Sequence, residues 1–182
     1  STPTRVLNKE RVDVHLEDID QPGEDGKYRL DGAWVHTEDY DLPTYREPAS
    51  RKARFRYSWK SRMFLSVMAY FHIDRFQRYL RSDLGLDDVA AFSVRVDGQG
   101  QEGLDVSTAA GDAISFGEGG VPDATDAMVV LHEYGHVIQE AIRTSSSTGN
   151  HASGLSEGFP DFLAAVYYDD KHADPAATRG TM

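Results

Sequence analysis

The chain has 182 residues, with 19 Lys+Arg against 30 Asp+Glu and a formal net charge of −11 at pH 7. That length suits one domain with a sizeable core. The acidic balance argues against nucleic acid as the main partner, and the absence of cysteine excludes disulfides, thiolate metal sites and a cysteine nucleophile.

The longest strictly aliphatic run, Ala127–Leu131, is too short to insert across a membrane. Ser1–Arg5 lacks the apolar core of a signal peptide, which fits a mature form or a cut piece. Residues 1–60 read as a β-rich segment. Arg11–Leu16 alternates polar with apolar and predicts a half-buried strand. Gln21–Gly26 is a turn, Tyr28–Trp34 resumes as a strand, and Asp39–Ser50, with two prolines, is a connector. Arg54–Lys60 alternates again, with Phe55, Tyr57 and Trp59 on one face. Together with Arg46, Arg51, Lys52 and Arg62 this stretch is basic and aromatic, a mixture able to bind single-stranded nucleic acid. In an acidic chain the simpler reading is a strand with aromatics inward and charges outward.

Residues 61–82 predict a helix. Phe64, Val67, Met68, Phe71, Phe76 and Leu80 form its apolar stripe, Asp74 and Arg78 pair on its exposed side, and Gly85 stops it. Asp97–Gly103 reads as a glycine-rich loop without the ending of a phosphate loop. Its Asp97 and Glu102, with Asp105, offer oxygen ligands to Ca2+, although a plain polar turn accounts for them more simply. Ala113–Gly117 predicts a short strand and Asp126–Arg143 a strong helix. A polar loop over Thr144–Gly154, a second helix over Glu157–Tyr168 and a loose end from Lys171 complete the chain.

The strong helix contains His132-Glu133-Tyr134-Gly135-His136. Residues four apart lie one above the other on a helix, so both imidazoles can reach one Zn2+. Glu133 is rotated about 100° from His132, beside the metal, where its carboxylate can take a proton from a water that the metal has acidified. Catalytic zinc commonly has three protein ligands. Glu157, beyond the polar loop and at the start of the next helix, is the expected third. Asp161, four positions later on the same face, is placed to orient one histidine. A capping or solvated glutamate would be the ordinary reading of Glu157 alone; the histidine pair and Asp161 tip it towards a ligand.

These motifs, with Glu157-Gly158-Phe159-Pro160-Asp161-Phe162, resemble the thermolysin-like and fungalysin-like gluzincin zinc metallopeptidases. Ile114–Gly119 is similar to the edge strand that these enzymes place along the substrate cleft, and Ala69–Arg75 to the helix preceding it. Gln139 and Ile142 stand where a metzincin has Gly and His; a zincin with Asp161 itself on the metal is a minor alternative. Two departures are visible. Pro160 is tolerable in a first helical turn but would kink a longer helix. Relatives draw transition-state donors from a helical lobe after the glutamate, whereas only the short stretch Gly158–Met182 follows Glu157 here, and His151 is the one titratable donor in the loop before it.

The resemblance implies an α+β fold. Residues 61–182 would form a zincin-like catalytic lobe, a twisted, mostly antiparallel sheet over the active-site helix, without a C-terminal helical lobe. It also implies a secreted or cell-surface enzyme acting on peptides or proteins. The rival from another class is a non-catalytic binding module, or a protease fragment, that keeps a zinc site.

Overall fold

Val35, Val94, Val96, Ile114 and Phe116 are fully buried and stand on short extended segments; they nucleate the sheet around which the chain is built. The computed structural model describes residues 13–142 and 150–171, with the side chains of 155–169 in the second stretch. Its elements are β1 (Tyr28–Arg29), β2 (Val35–Thr37), β3 (Ala49–Ser50), α1 (Arg62–Ser82), β4 (Val94–Gly100), β5 (Thr108–Ala110), β6 (Ala113–Gly117), α2 (Ala127–Ile142) and α3 (Asn150–Lys171). Single 3-10 turns occupy Gln101–Gly103 and Asp123–Thr125. Three long helices and short strands make the fold α+β. None of the described helices is long and apolar enough to cross a membrane.

Strands β1 and β3 form a two-stranded antiparallel ribbon, and the larger sheet has the order β2-β4-β6-β5. The expectation of a mostly antiparallel sheet is corrected, because β2–β4 and β4–β6 run parallel and β5–β6 runs antiparallel. The cause is α1, whose 21 residues carry the chain back between β2 and β4, as a parallel crossover requires. A second expectation changes with it. Ile114 and its neighbours lie on β6, which is paired on both sides, and the edges of the sheet are β2 and β5.

The glycine-rich stretch is also not a loop: Asp97–Gly100 is the end of β4. Gly98 serves close approach, since a Cβ there would stand 2.8 Å from the Ser66 backbone nitrogen of α1. The Asp97 carboxylate is buried and accepts backbone N–H bonds from Tyr40 (3.1 Å), Asp41 (2.9 Å) and Gln99 (2.9 Å), which fixes the connector across the end of the sheet.

The N-terminal segment is less β-rich than expected. Asp13–Leu16 and Arg54–Lys60 keep their alternating burial but make no ladder. Phe55 enters the core and Tyr57 packs against it, so the inward aromatic face holds without a strand partner. Arg56 pairs with Asp13 at 2.6 Å and Arg62 with Glu118 at 2.8 Å, which neutralises part of the basic cluster. Arg11 and Val12, most of the Thr144–Gly154 loop and the chain after Lys171 lie outside the described residues.

Helix α1 stops as expected. Gly85 adopts φ +68° and its N–H returns to the Arg81 carbonyl at 3.1 Å. Asp74 and Arg78 pair at 2.9 Å, but Asp74 is buried and not on an exposed face, because Arg78 also holds Asp18 (2.8 Å) and Glu17 (3.1 Å) of the N-terminal segment over it. The helices meet through aromatic rings. Phe76 of α1 lies edge-to-face with Tyr134 of α2 (centroids 6.1 Å) and Tyr167 of α3 (4.9 Å). Such pairs contribute about 0.5–1.5 kcal/mol each beyond burial.

His72 of α1 is buried, and the Tyr168 hydroxyl of α3 lies 3.2 Å from its Nδ1. Burial, with a smaller push from the Arg75 charge, lowers its pKa from 6.5 to about 3. Between those values the unfolded chain binds the extra proton. His72 therefore contributes stability that is complete above pH 6.5 and is lost as the pH falls towards 3. His72→Asn keeps an acceptor for Tyr168 and does not titrate. Urea midpoints at pH 7 and pH 4.5 should differ less for this variant than for the parent; an equal loss in both would remove His72 from the acid sensitivity.

Candidate metal centre

Helix α2 opens at Asp126, whose carboxylate accepts the Met128 N–H at 2.8 Å, the ordinary N-cap geometry. Successive residues then step by about 100°, and the five residues of the motif divide the faces of the helix among them. Tyr134 points into the core, where its hydroxyl donates to Gln77 Oε1 at 2.9 Å, and Gln77 donates in turn to the carbonyls of Val89 (2.8 Å) and Ala90 (3.0 Å). Gly135 faces α3. His132 and His136 share the remaining side, with ring centroids 4.8 Å apart.

Helix α3 begins at Asn150, well ahead of Glu157, and not at Glu157 as expected. Pro160 therefore lies inside the helix. It is accommodated by Gly135: a Cβ on that glycine would lie 2.7 Å from Pro160 Cα and 2.8 Å from Pro160 Cβ. The proline ring occupies the place of the missing side chain, and the two helices touch backbone to ring. Gln139 fixes the same crossing by donating to the Leu155 carbonyl at 3.0 Å.

This crossing brings the expected ligands together. His132 Nε2 and His136 Nε2 are 3.1 Å apart, and Glu157 Oε2 lies 3.4 Å from the first and 3.7 Å from the second. Ligand atoms about 2.0–2.1 Å from a tetrahedral zinc stand about 3.3–3.4 Å from one another, so the triangle has the dimensions such an ion needs. With both Nε2 atoms unprotonated, the three atoms could share one metal ion. Asp161 Oδ1 accepts a hydrogen bond from His132 Nδ1 at 2.8 Å, which leaves His132 Nε2 with its lone pair towards the other two. Burial lowers the His136 pKa against the opposing pull of Glu157, favouring the neutral ring that a metal ligand must be.

Glu133 is 8% exposed, whereas the Glu157 and Asp161 side chains are 66% and 73% exposed. Burial pushes the Glu133 carboxyl up to about 7; the charges of Glu157 and Asp123 add to the rise and His132 opposes it. A carboxylate held there exchanges a proton near neutral pH.

Among the described residues, His132, His136 and Glu157 are the one group of three or more His, Asp or Glu side chains whose ligand atoms converge. Asp97, Glu102 and Asp105 are not brought together as a calcium site, since Asp97 is occupied by backbone N–H groups. His151 falls in the first turn of α3, and its side chain lies outside the described residues. Sequence reasoning missed Gln139 and Glu140, which accepts the Gly111 N–H at 2.9 Å and ties the β5–β6 turn to α2. Their positions, two helical turns after His132, continue its face and were the available signal. Gly135 had one too, because an interior glycine costs a helix about 1 kcal/mol and needs a packing reason.

The sequence matches no protein-family model and no curated protein. The residues alone therefore carry the functional reading.

Two substitutions probe the geometry. Gly135→Ala gains about 1 kcal/mol of helix propensity but forces a methyl against the Pro160 backbone, at about 1–3 kcal/mol. The clash should win or cancel, and the helices should part, so zinc affinity measured by competition with a chromophoric chelator should fall even where the urea midpoint barely moves. Asp161→Ala should weaken zinc binding about 10–100-fold with the helical circular dichroism retained; unchanged affinity would leave Asp161 an ordinary surface acid.

Proposed function

We propose that this chain hydrolyses peptide bonds at a zinc ion held by His132, His136 and Glu157, on a zincin-like lobe of gluzincin type. The observation that carries the reading is the triangle of three ligand atoms, 3.1, 3.4 and 3.7 Å on its edges, with the buried Glu133 carboxyl on the adjoining helical position. Bound there, zinc supplies polarisation of a carbonyl and acidification of a water.

The remaining work falls to the chain. Asp161 holds His132 by its Nδ1–H and so fixes the ring that faces the metal. Glu133 would take a proton from the attacking water onto its carboxylate and return it to the leaving amine. The peptide would lie extended along the edge strand β5, Thr108–Ala110, which pairs with β6 on one side.

One observation favours a second reading. Glu157 and Asp161 are largely exposed, whereas enzyme sites are concave and bury most of their ligand. A binding module with a retained zinc site fits that exposure. Both readings expect one zinc per chain, lost on His136→Ala.

Hydrolysis separates them. Glu133→Gln keeps size and hydrogen bonding but cannot take a proton. It should retain stoichiometric zinc and lose about 10²–10⁴-fold in kcat on a fluorogenic peptide mixture. Parent-like turnover by the variant with zinc bound rules out Glu133 as the base. Stoichiometric zinc with no cleavage by the parent chain assigns the binding-module reading.

A further inference from the structure

A buried polar atom needs a partner, and two acceptors at one end of the larger sheet have none among the described residues. They are Glu47 Oε2, on the connector Asp39–Ser50, and Gln99 Oε1, on β4. Gln99 is 1% exposed. The two side chains meet on a third group. Gln99 Nε2 donates to the Ser66 hydroxyl of α1 at 3.5 Å, and that hydroxyl donates in turn to Glu47 Oε1 at 3.4 Å. The donors therefore run one way, from β4 through α1 to the connector, and the row ends on a carboxyl that has no hydrogen of its own when ionised.

The surroundings are acidic. Asp97 of β4, which is buried, and Asp39 of the connector act on Glu47 with like charge; β2 offers it the Thr37 hydroxyl, α1 the Ser66 hydroxyl, and the 54–60 segment the Tyr57 phenol. Burial pushes the Glu47 carboxyl up to about 7, helped by Asp97 and Asp39 and opposed by the two hydroxyls. The other acids here are taken up by N–H groups of the same connector and its surroundings. Asp97 holds Tyr40 and Asp41, Asp39 holds Tyr45 at 3.0 Å, and Asp41 holds Gln101 at 2.8 Å together with the Ser115 hydroxyl of β6 at 2.8 Å. Glu47 alone among these four keeps a buried oxygen without a donor.

We propose that Glu47 is a proton-operated latch on the connector: protonated, it supplies the donor that this cluster of acceptors lacks and holds Asp39–Ser50 against β4 and α1; ionised, it loosens the connector from the end of the sheet. None of these groups belongs to the candidate metal centre, so the latch stands or falls without zinc. The unfolded carboxyl titrates at 4.5, and the folded chain holds the extra proton between that value and about 7. The latch thus contributes stability that is complete below pH 4.5 and is lost as the pH rises to about 7.

Hydrogen exchange of the intact chain, followed by mass spectrometry at pH 6 and pH 8 and corrected for intrinsic rates, reads the connector through the N–H groups of Tyr40, Asp41 and Tyr45. Protection there should fall about 10-fold from pH 6 to pH 8, the change expected when opening returns a carboxyl from about 7 to 4.5. Glu47→Gln carries a permanent donor in place of the proton, and its protection should stay level. Equal protection at both pH values in the parent, or the same fall in Glu47→Gln, overturns the latch. Should Glu47→Gln not fold, Glu133→Gln labelled with carbon-13 at its glutamate carboxyls decides. One signal should still titrate near pH 7 once Glu133 is removed; if all of them titrate in the ordinary glutamate range, Glu47 holds no proton at neutral pH and the latch is refuted.

Discussion

The contact between Gly135 and the Pro160 ring sets the distance between α2 and α3, and the candidate site exists only because that distance is short. Two of the three converging atoms belong to α2 and the third to α3, so an extra methyl at the crossing would act on their spacing directly. Neighbouring residues hold the crossing from both sides. Tyr134, one step before the glycine, anchors α2 to α1 through Gln77. Gln139, one turn after it, takes the Leu155 carbonyl next to the segment where the proline disturbs the helix. A proline that sequence reasoning treats as a threat to α3 is in this setting the knob that fills a hole.

Much of this was legible in the sequence, and the failures share a cause. The helices of residues 61–82 and 126–143 declared themselves by apolar periodicity and caps, which are local. The expected ligands His132 and His136 were suggested by helical spacing, which is local too. What could not be read was anything decided by a partner distant in sequence. Asp97–Gly100 carries loop composition but is a strand, because Gly98 must let the α1 backbone pass and Asp97 must receive the connector. Asp74 carries a surface charge pattern but is buried, because Arg78 gathers acids from the N-terminal segment above it. The start of α3 was misjudged because Pro160 was weighed without knowing that Gly135 would receive it.

The electrostatics of the site divide along the same crossing. Glu133 lies on the covered side of α2 and is desolvated, whereas Glu157 and Asp161 stand on the outer helix in contact with water. Three carboxylates close in space to two histidines thus occupy different dielectric surroundings. Desolvation favours the protonated form of the first, while the other two remain in contact with water. One pair of packed helices separates the roles without any difference in side-chain chemistry between Glu133 and Glu157.

The register of the sheet has a consequence for the order in which the chain comes together. Val35 pairs with Val94 and Arg95 with Ala113, so β2 and β4 must meet across a long excursion that includes all of α1. The side chains of the candidate site, from His132 to Asp161, occupy a much shorter stretch and sit on two helices that are neighbours in sequence. Loop closure grows costlier with length, and contacts close in sequence form faster. The helical hairpin is therefore placed to assemble ahead of the parallel strands, with the crossing at Gly135 among the earliest tertiary contacts and the pairing of β2 among the last.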